Sequence, residues 1–465
     1  MSNNLFDPQL EKTFKKDKQL LEQTAIPIVT VSSSYMEDLK GFHNLPATDT
    51  STDVVFSRAH YTMALAAAVE AWGKEINPSK AWVVDPTNYV KANDWFSIRL
   101  SETIGKTLAR APFLKKLKDL VDKFGRNKLP ILSSITPPLL YLTENIDKPI
   151  LSFHIAAGNI LAAQGKIVYQ MITDPHVRED YLNEAQRPNM HFLVFNQKTK
   201  TDFLEKAAIL GKKVNPDQVI VTGPPIDPRI IAARKNKRPW RSGKLRLCLT
   251  TGGLGTNKTE IHSILKQLLP ELRKRPNPYQ LMVYVGTHRD LAELVRELAK
   301  EAKVALKEIT AEDPADFVHQ GQLKDPYSRR WVEQQISQAR LSLIYHPQIV
   351  DANELLIHYG FPWADGFLTK PSGDMAYDAA ASGSFLLTLA EWGEWEHNIR
   401  EIFVQKGIAR QAKTKNIVAQ LQTLTSAQDR AESWVEQAMR SAQNIDKLFL
   451  EGTKNILKAV KGVEK

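Results

Sequence analysis

The chain has 465 residues, 43% of them hydrophobic and 25% charged, a balance that builds buried cores in two or three domains and excludes a disordered chain. Its one cysteine, Cys248, excludes a disulfide framework and reads as a buried thiol suited to a reducing cytosol. Sixty-two basic against 52 acidic residues give a net charge of +10, which favours anionic partners, while no apolar run reaches the roughly 18 residues of a spanning helix and no apolar leader is visible, so a soluble or peripheral protein is expected.

Residues 1–45 read as a charged helical lead-in, a strand at Ala25 to Val31 and a polar stretch. A first α/β domain is expected over 46–231. In it apolar Val54 to Phe56, a polar loop, an Ala-rich helix from His60 to Trp72 and the strand Ala81 to Asp85 form a βαβ unit. Two further strands, Lys148 to His154 and Lys166 to Asp174, deliver polar side chains to their carboxyl ends, where open parallel sheets bind ligands. His60, His154 and Asp174 are therefore the candidate catalytic residues, and the alternative for each is a loop residue that caps a helix.

Between these elements, Trp95 to Lys128 alternates apolar and basic residues at helical spacing. Trp95, Phe96, Phe113 and Leu114 beside Lys115 and Lys116 suit an anionic membrane surface; the alternative is the solvated face of a core helix. Later come the strand HFLVFNQ, the helix Thr199 to Leu210, and QVIVTGPPIDP with its Gly-Pro-Pro stop.

Residues 232–243, AARKNKRPWRSG, are basic and have no apolar period, so they read as a linker. A second α/β domain follows over 244–425. It opens with the strand KLRLCLTT and a loop containing Gly252, Gly253 and Gly255, which lets backbone approach phosphate but has neither dinucleotide-fingerprint nor P-loop spacing. Strands YQLMVYVG and ARLSLIYH lead to Phe367 to Asn398, where a strand, a Gly loop, a helix from Asp374 to Ser382, a second strand and an acidic loop succeed one another. Amides near Ser372 to Met375 would face anionic oxygens, and Asp378 one turn later would accept from ribose hydroxyls; an ordinary βαβ crossover is the alternative. Residues 426–465 read as C-terminal helices. No metal-ligand spacing occurs, and with basic residues dispersed and no recognition module present, no nucleic-acid partner is expected.

Taken together, Thr369-Lys370-Pro371-Ser372-Gly373, Asp378-Ala379, Gly383, Glu394 to Asn398 and Gly407 resemble the donor-site signature of the glycosyltransferase family that contains monogalactosyldiacylglycerol synthase and the lipid II-forming N-acetylglucosaminyltransferase. LTTGGLG and Val285-Gly286-Thr287-His288-Arg289 resemble two further loops of its donor domain. AHYTMA, SFH, MITD and VIVTGPPIDP resemble four motifs of its acceptor domain, in the same order. The chain departs from the pattern at Ser57-Arg58-Ala59, where the family has glycines, at Asp378 for its Glu, and at Met375 for its Thr.

The resemblance implies two Rossmann-like α/β domains of the GT-B architecture with a C-terminal helical segment. It implies a cytoplasmic enzyme, peripheral on the membrane, that moves a hexosyl group from a UDP-sugar to a lipid or lipid-linked acceptor with inversion and no cofactor. His60 would be the base. The donor would be held by Gly252, Gly253, Gly255, Gly286, Lys370, Ser372, Gly373, Asp374, Met375, Asp378, Glu394 and Asn398. A UDP-sugar epimerase of the same architecture, or an inactive nucleotide-sugar-binding protein, are the competing readings.

Overall fold

The computed structural model describes residues 8–32, 58–91, 94, 130–253, 255–310, 323, 326–336, 339–347, 349–427 and 432–462. The expected membrane-facing stretch Trp95 to Lys128 and the expected strand Val54 to Phe56 lie outside them. The chain divides into two compact units, one of Met1–Pro225, Gly321–Leu323 and Glu451–Lys465, the other of Ile226–Gln320 and Lys324–Leu450.

The first unit is built on six strands, β1 Ile26–Val29, β2 Ala81–Val84, β3 Ile150–Ser152, β4 Val168–Met171, β5 Met190–Val194 and β6 Val219–Val221, in the order β2-β1-β3-β4-β5-β6. Every pairing is parallel, with Ile28 opposite Val83 on one side and Leu151 on the other. A parallel sheet is covered on both faces, which is why its strands read as near-continuous apolar runs. The helices are α1 Pro8–Gln23, α2 Arg58–Trp72, α3 Pro130–Thr143, α4 Ile155–Ala163 and α5 Gln197–Ile209. Strand β1 pairs with β2, and α2 lies between them in the chain. Sequence order reverses between β1 and β3, the place where a doubly wound sheet opens a crevice at its carboxyl edge. Buried Asp85, just past β2, fixes that edge: it accepts from the Ser32 N–H and hydroxyl at 3.0 and 2.7 Å, and from the Thr87 N–H at 2.9 Å.

The second unit holds seven parallel strands, β7 Leu245–Thr250, β8 Tyr279–Gly286, β9 Leu306–Ile309, β10 Leu341–Tyr345, β11 Gly366–Thr369, β12 Phe385–Thr388 and β13 Ala409–Gln411. Their order is β13-β12-β11-β7-β8-β10-β9, so the reversal falls between β7 and β11. Helices α6 Pro228–Ala233, α7 Lys258–Glu271, α8 Arg289–Glu301, α9 Arg329–Ile336, α10 Ile349–Leu355, α11 Met375–Ala381, α12 Glu394–Gln405, α13 Ile417–Thr425 and α14 Trp434–Gln443 belong to it. Helix α8 shows the principle: Leu291, Ala292, Val295, Leu298 and Ala299 recur on one face and are buried. The two-unit Rossmann-like architecture expected from the sequence is the one observed.

The domain limits differ from the expected ones. Residues 232–243 do not form an open linker, because Lys237 is buried and donates to the Phe361 carbonyl at 2.6 Å and to the Ser384 and Ser382 hydroxyls at 2.8 and 3.2 Å. Nor do the C-terminal helices stand as one segment. Helix α14 packs on β12 and α11, whereas the last helix, α15 Gly452–Lys461, packs on α2 of the first unit. Only glycine fits at its start, since a Cβ on Gly452 would lie 2.0 Å from the Pro224 carbonyl oxygen. Cys248 is buried in β7, as expected, and loss of solvation pushes its thiol well above the usual range. Among the described residues no helix is long and apolar enough to cross a membrane.

Candidate functional site

The reversal point of the second sheet brings together the loops after β7 and β11. Their strands are tied where they end by a hydrogen bond from the Thr250 hydroxyl to that of Thr369, 2.7 Å long. Beyond β7 the chain turns at once: the Gly255 N–H donates to the Gly252 carbonyl at 2.9 Å, and Gly255 sits at φ +60°, which glycine adopts without strain. Beyond β11 stands Lys370, 5% exposed. Its stem runs past Gly252, where a Cβ would lie 2.9 Å from the Lys370 Cδ. The ammonium donates to the Thr256 hydroxyl at 3.2 Å and pairs with Glu396 at 2.7 Å. The structure thus unites the Gly loop with Lys370.

Helix α11 follows, and its start differs in detail from expectation. The Met375 N–H donates to the Ser372 hydroxyl at 3.2 Å and the Ser372 N–H to the Lys370 carbonyl at 2.8 Å, so these two amides are satisfied inside the loop. The Ser372 hydroxyl in turn donates to Asp374 at 2.7 Å. Positive charge at this edge therefore comes from Lys370 more than from amides at Ser372 and Met375. Gly373 and Asp374 complete the buried turn, Asp378 lies one turn into α11 and is 8% exposed, and Gly383 ends the helix at φ +80°.

Glu396, Trp392 and Glu260, none of them singled out in the sequence, join His288 in completing this edge. Glu396, not Glu394, reaches Lys370: Glu394 opens α12 and is exposed, and Asn398 is half-buried on the same helix. The Trp392 N–H donates to the second Glu396 oxygen at 2.6 Å, and the Trp392 ring lies 5.8 Å from the Lys370 ammonium. On the side of β8, Gly286 takes φ +58° and His288 touches the Gly252 carbonyl at 3.3 Å through Nε2. The carboxylate of Glu260 accepts from the Ala390 N–H at 3.1 Å and so holds the acidic loop to α7.

In the first unit, the reversal point brings His60 and His154 into edge contact, with ring centroids 5.1 Å apart. His60 lies in the first turn of α2, and its Nε2 is 3.2 Å from the Thr173 hydroxyl. His154 caps α4, its Nδ1 accepting from the Ala156 N–H at 3.3 Å. Burial holds the His154 imidazole well below its usual pKa, and the charges of His60 and Arg178 act in the same direction, so His154 is neutral near pH 7. Asp174 is part of the same edge through Arg178: burial opposes the guanidinium charge, but Tyr181 and Asp174 stabilise it. His60 and His154 thus meet at this edge, Asp174 acts on it only through the charge of Arg178, and His154 also plays the capping role that was its alternative.

No family model and no curated protein matches the chain. Its fold is similar to that of several solved structures. One is MurG of Acinetobacter baumannii, 10% identical over 94% of this chain and 99% of that one, with a TM-score of 0.46. Another is UDP-GlcNAc 2-epimerase of Neisseria meningitidis bound to UDP-GlcNAc, 14% identical over 94% and 97%, TM-score 0.48. A third is OtsA, 12% identical over 94% and 97%, TM-score 0.47. These are likenesses of backbone path, and the chemistry rests on the residues at the two reversal points.

Proposed function

We propose that the chain is a glycosyltransferase that moves a hexosyl group from a UDP-sugar to a lipid or lipid-linked acceptor, with inversion. The observation that carries the reading is Lys370, a buried cation set against the Gly252–Gly255 turn at the reversal point of the second sheet. When the bond from the anomeric carbon to the diphosphate breaks, negative charge grows on the departing oxygens, and a preorganised ammonium in a shielded place stabilises it. Lys370 supplies that charge, so the reading calls for no metal or other cofactor. Asp378 accepts from the ribose hydroxyls. His60 in the first unit takes the proton of the acceptor hydroxyl as its oxygen bonds to the anomeric carbon.

Calorimetric titration with uridine diphosphate tests the donor half. Asp378→Ala is expected to weaken binding by about 1.5–3 kcal/mol, the worth of a hydrogen bond to a charged group, with folding little changed. Equal affinity of mutant and parent would remove Asp378 from the site, and no binding by the parent protein would end the reading. Transfer scanned over nucleotide sugars with a membrane lipid extract then names the acceptor class.

The lipid acceptor carries a location with it: action at the cytoplasmic face of the membrane, held there by Phe113, Leu114, Lys115 and Lys116. The protein is expected to sediment with anionic liposomes at low salt and to be released near 0.5 M salt, where the screening length is about 4 Å. Charge reversal at Lys115 and Lys116 should release it as well. Equal sedimentation with neutral and anionic liposomes, or with neither, would favour a soluble acceptor.

A further inference from the structure

We infer that Glu396 is a positioning residue that competes with the donor's diphosphate for Lys370 and thereby biases the site against the more highly charged product. The inference rests on the donor reading above. The side chains of Lys370 and Glu396 are 6% and 7% exposed and 2.7 Å apart, so the cation at this edge is matched by an anion that water screens little. The ammonium bonds Thr256 on the Gly-loop side, and Glu396 is held from behind by the Trp392 N–H at 2.6 Å. A diphosphate that draws on Lys370 meets this carboxylate within one side chain's reach. Two anions then share one cation.

The cost of that sharing grows with the charge of the ligand. A diphosphate esterified to a sugar carries two negative charges, whereas free uridine diphosphate gains most of a third at pH 7, because a terminal phosphate loses its second proton near pH 6. Glu396 therefore repels the product more than the donor. It favours departure of uridine diphosphate once the sugar has left. Lys370 also explains how the event is reported, since its ammonium lies 5.8 Å from the Trp392 ring and Glu396 bonds the Trp392 backbone.

The test is titration of parent protein and Glu396→Gln with two probes, uridine diphosphate and UDP-glucose, at low salt. Expected is about tenfold tighter binding of uridine diphosphate by the variant, with a gain of about threefold for UDP-glucose. A purely structural role for Glu396 would weaken both probes alike or leave both unchanged, and either result overturns the inference. Binding of neither probe by the parent protein overturns the donor reading itself, which separates the two failures. If Glu396→Gln does not fold, tryptophan emission of the parent protein decides. Saturating uridine diphosphate should shift it, and the shift should vanish in Trp392→Phe; no shift in the parent protein, or the same shift in Trp392→Phe, counts against the competition.

Discussion

Replacing His60 by alanine is expected to lower the turnover number by about 10²- to 10⁴-fold while leaving donor affinity unchanged, the signature of a lost general base. His60 stands in the first turn of α2 and meets His154, which follows β3 at the point where the order of the first sheet reverses. The Thr173 hydroxyl at 3.2 Å orients Nε2, and the neutral His154 ring, edge-on at 5.1 Å, adds no positive charge that would discourage proton uptake. Steady-state kinetics of the variant beside a thermal melt decide the matter. A melting point lowered with the turnover number intact would make His60 a packing residue of α2.

Removing the Glu354 carboxylate is expected to have the largest effect on folding, a loss of about 3–5 kcal/mol for Glu354→Ala. Glu354 in α10 is fully buried and takes both terminal nitrogens of Arg229, at 2.7 and 2.9 Å. Asp227 grips the same guanidinium at 2.7–3.2 Å. Burial opposes the Arg229 charge, but the two carboxylates more than offset it and raise its pKa. Without Glu354 the cation keeps one carboxylate in a place that water does not reach, and the second unit loses the tie between α6 and α10. Urea unfolding measures the cost. A loss below about 1 kcal/mol, the value of an exposed pair, would mean that water enters to replace the carboxylate.

Much of the framework is legible because parallel strands are covered on both faces. KLRLCLTT, YQLMVYVG and AWVVD announce themselves as apolar runs, and the residues that follow them, such as Gly252, fall at the carboxyl edge for that reason alone. The strands that escape notice are β9 and β13, at the ends of the second sheet. LKEI and ARQ are short and partly exposed, so they carry no such run. The acidic loop shows a second difficulty. EWGEWEHN offers three glutamates, and which one turns inward depends on where α12 begins. With Gly393 just outside the helix, Glu394 faces solvent and Glu396, two residues and about 200° on, faces Lys370. Lys237 shows a third. Composition makes its segment a linker, but its ammonium finds acceptors more than a hundred residues away in sequence, at Phe361, Ser382 and Ser384.

Helix α15 also sets the order in which the protein can be finished. A chain emerging from the ribosome exposes all six strands of the first sheet before any of the second, and domains tend to fold as they appear. Yet the face of α2 that α15 covers stays bare until the second unit has been synthesised in full. The first unit to start is thus the last to be complete. For that interval the nascent protein presents α2, the helix that carries His60, without its final cover, which arrives only when Gly452 reaches its seat beside Pro224.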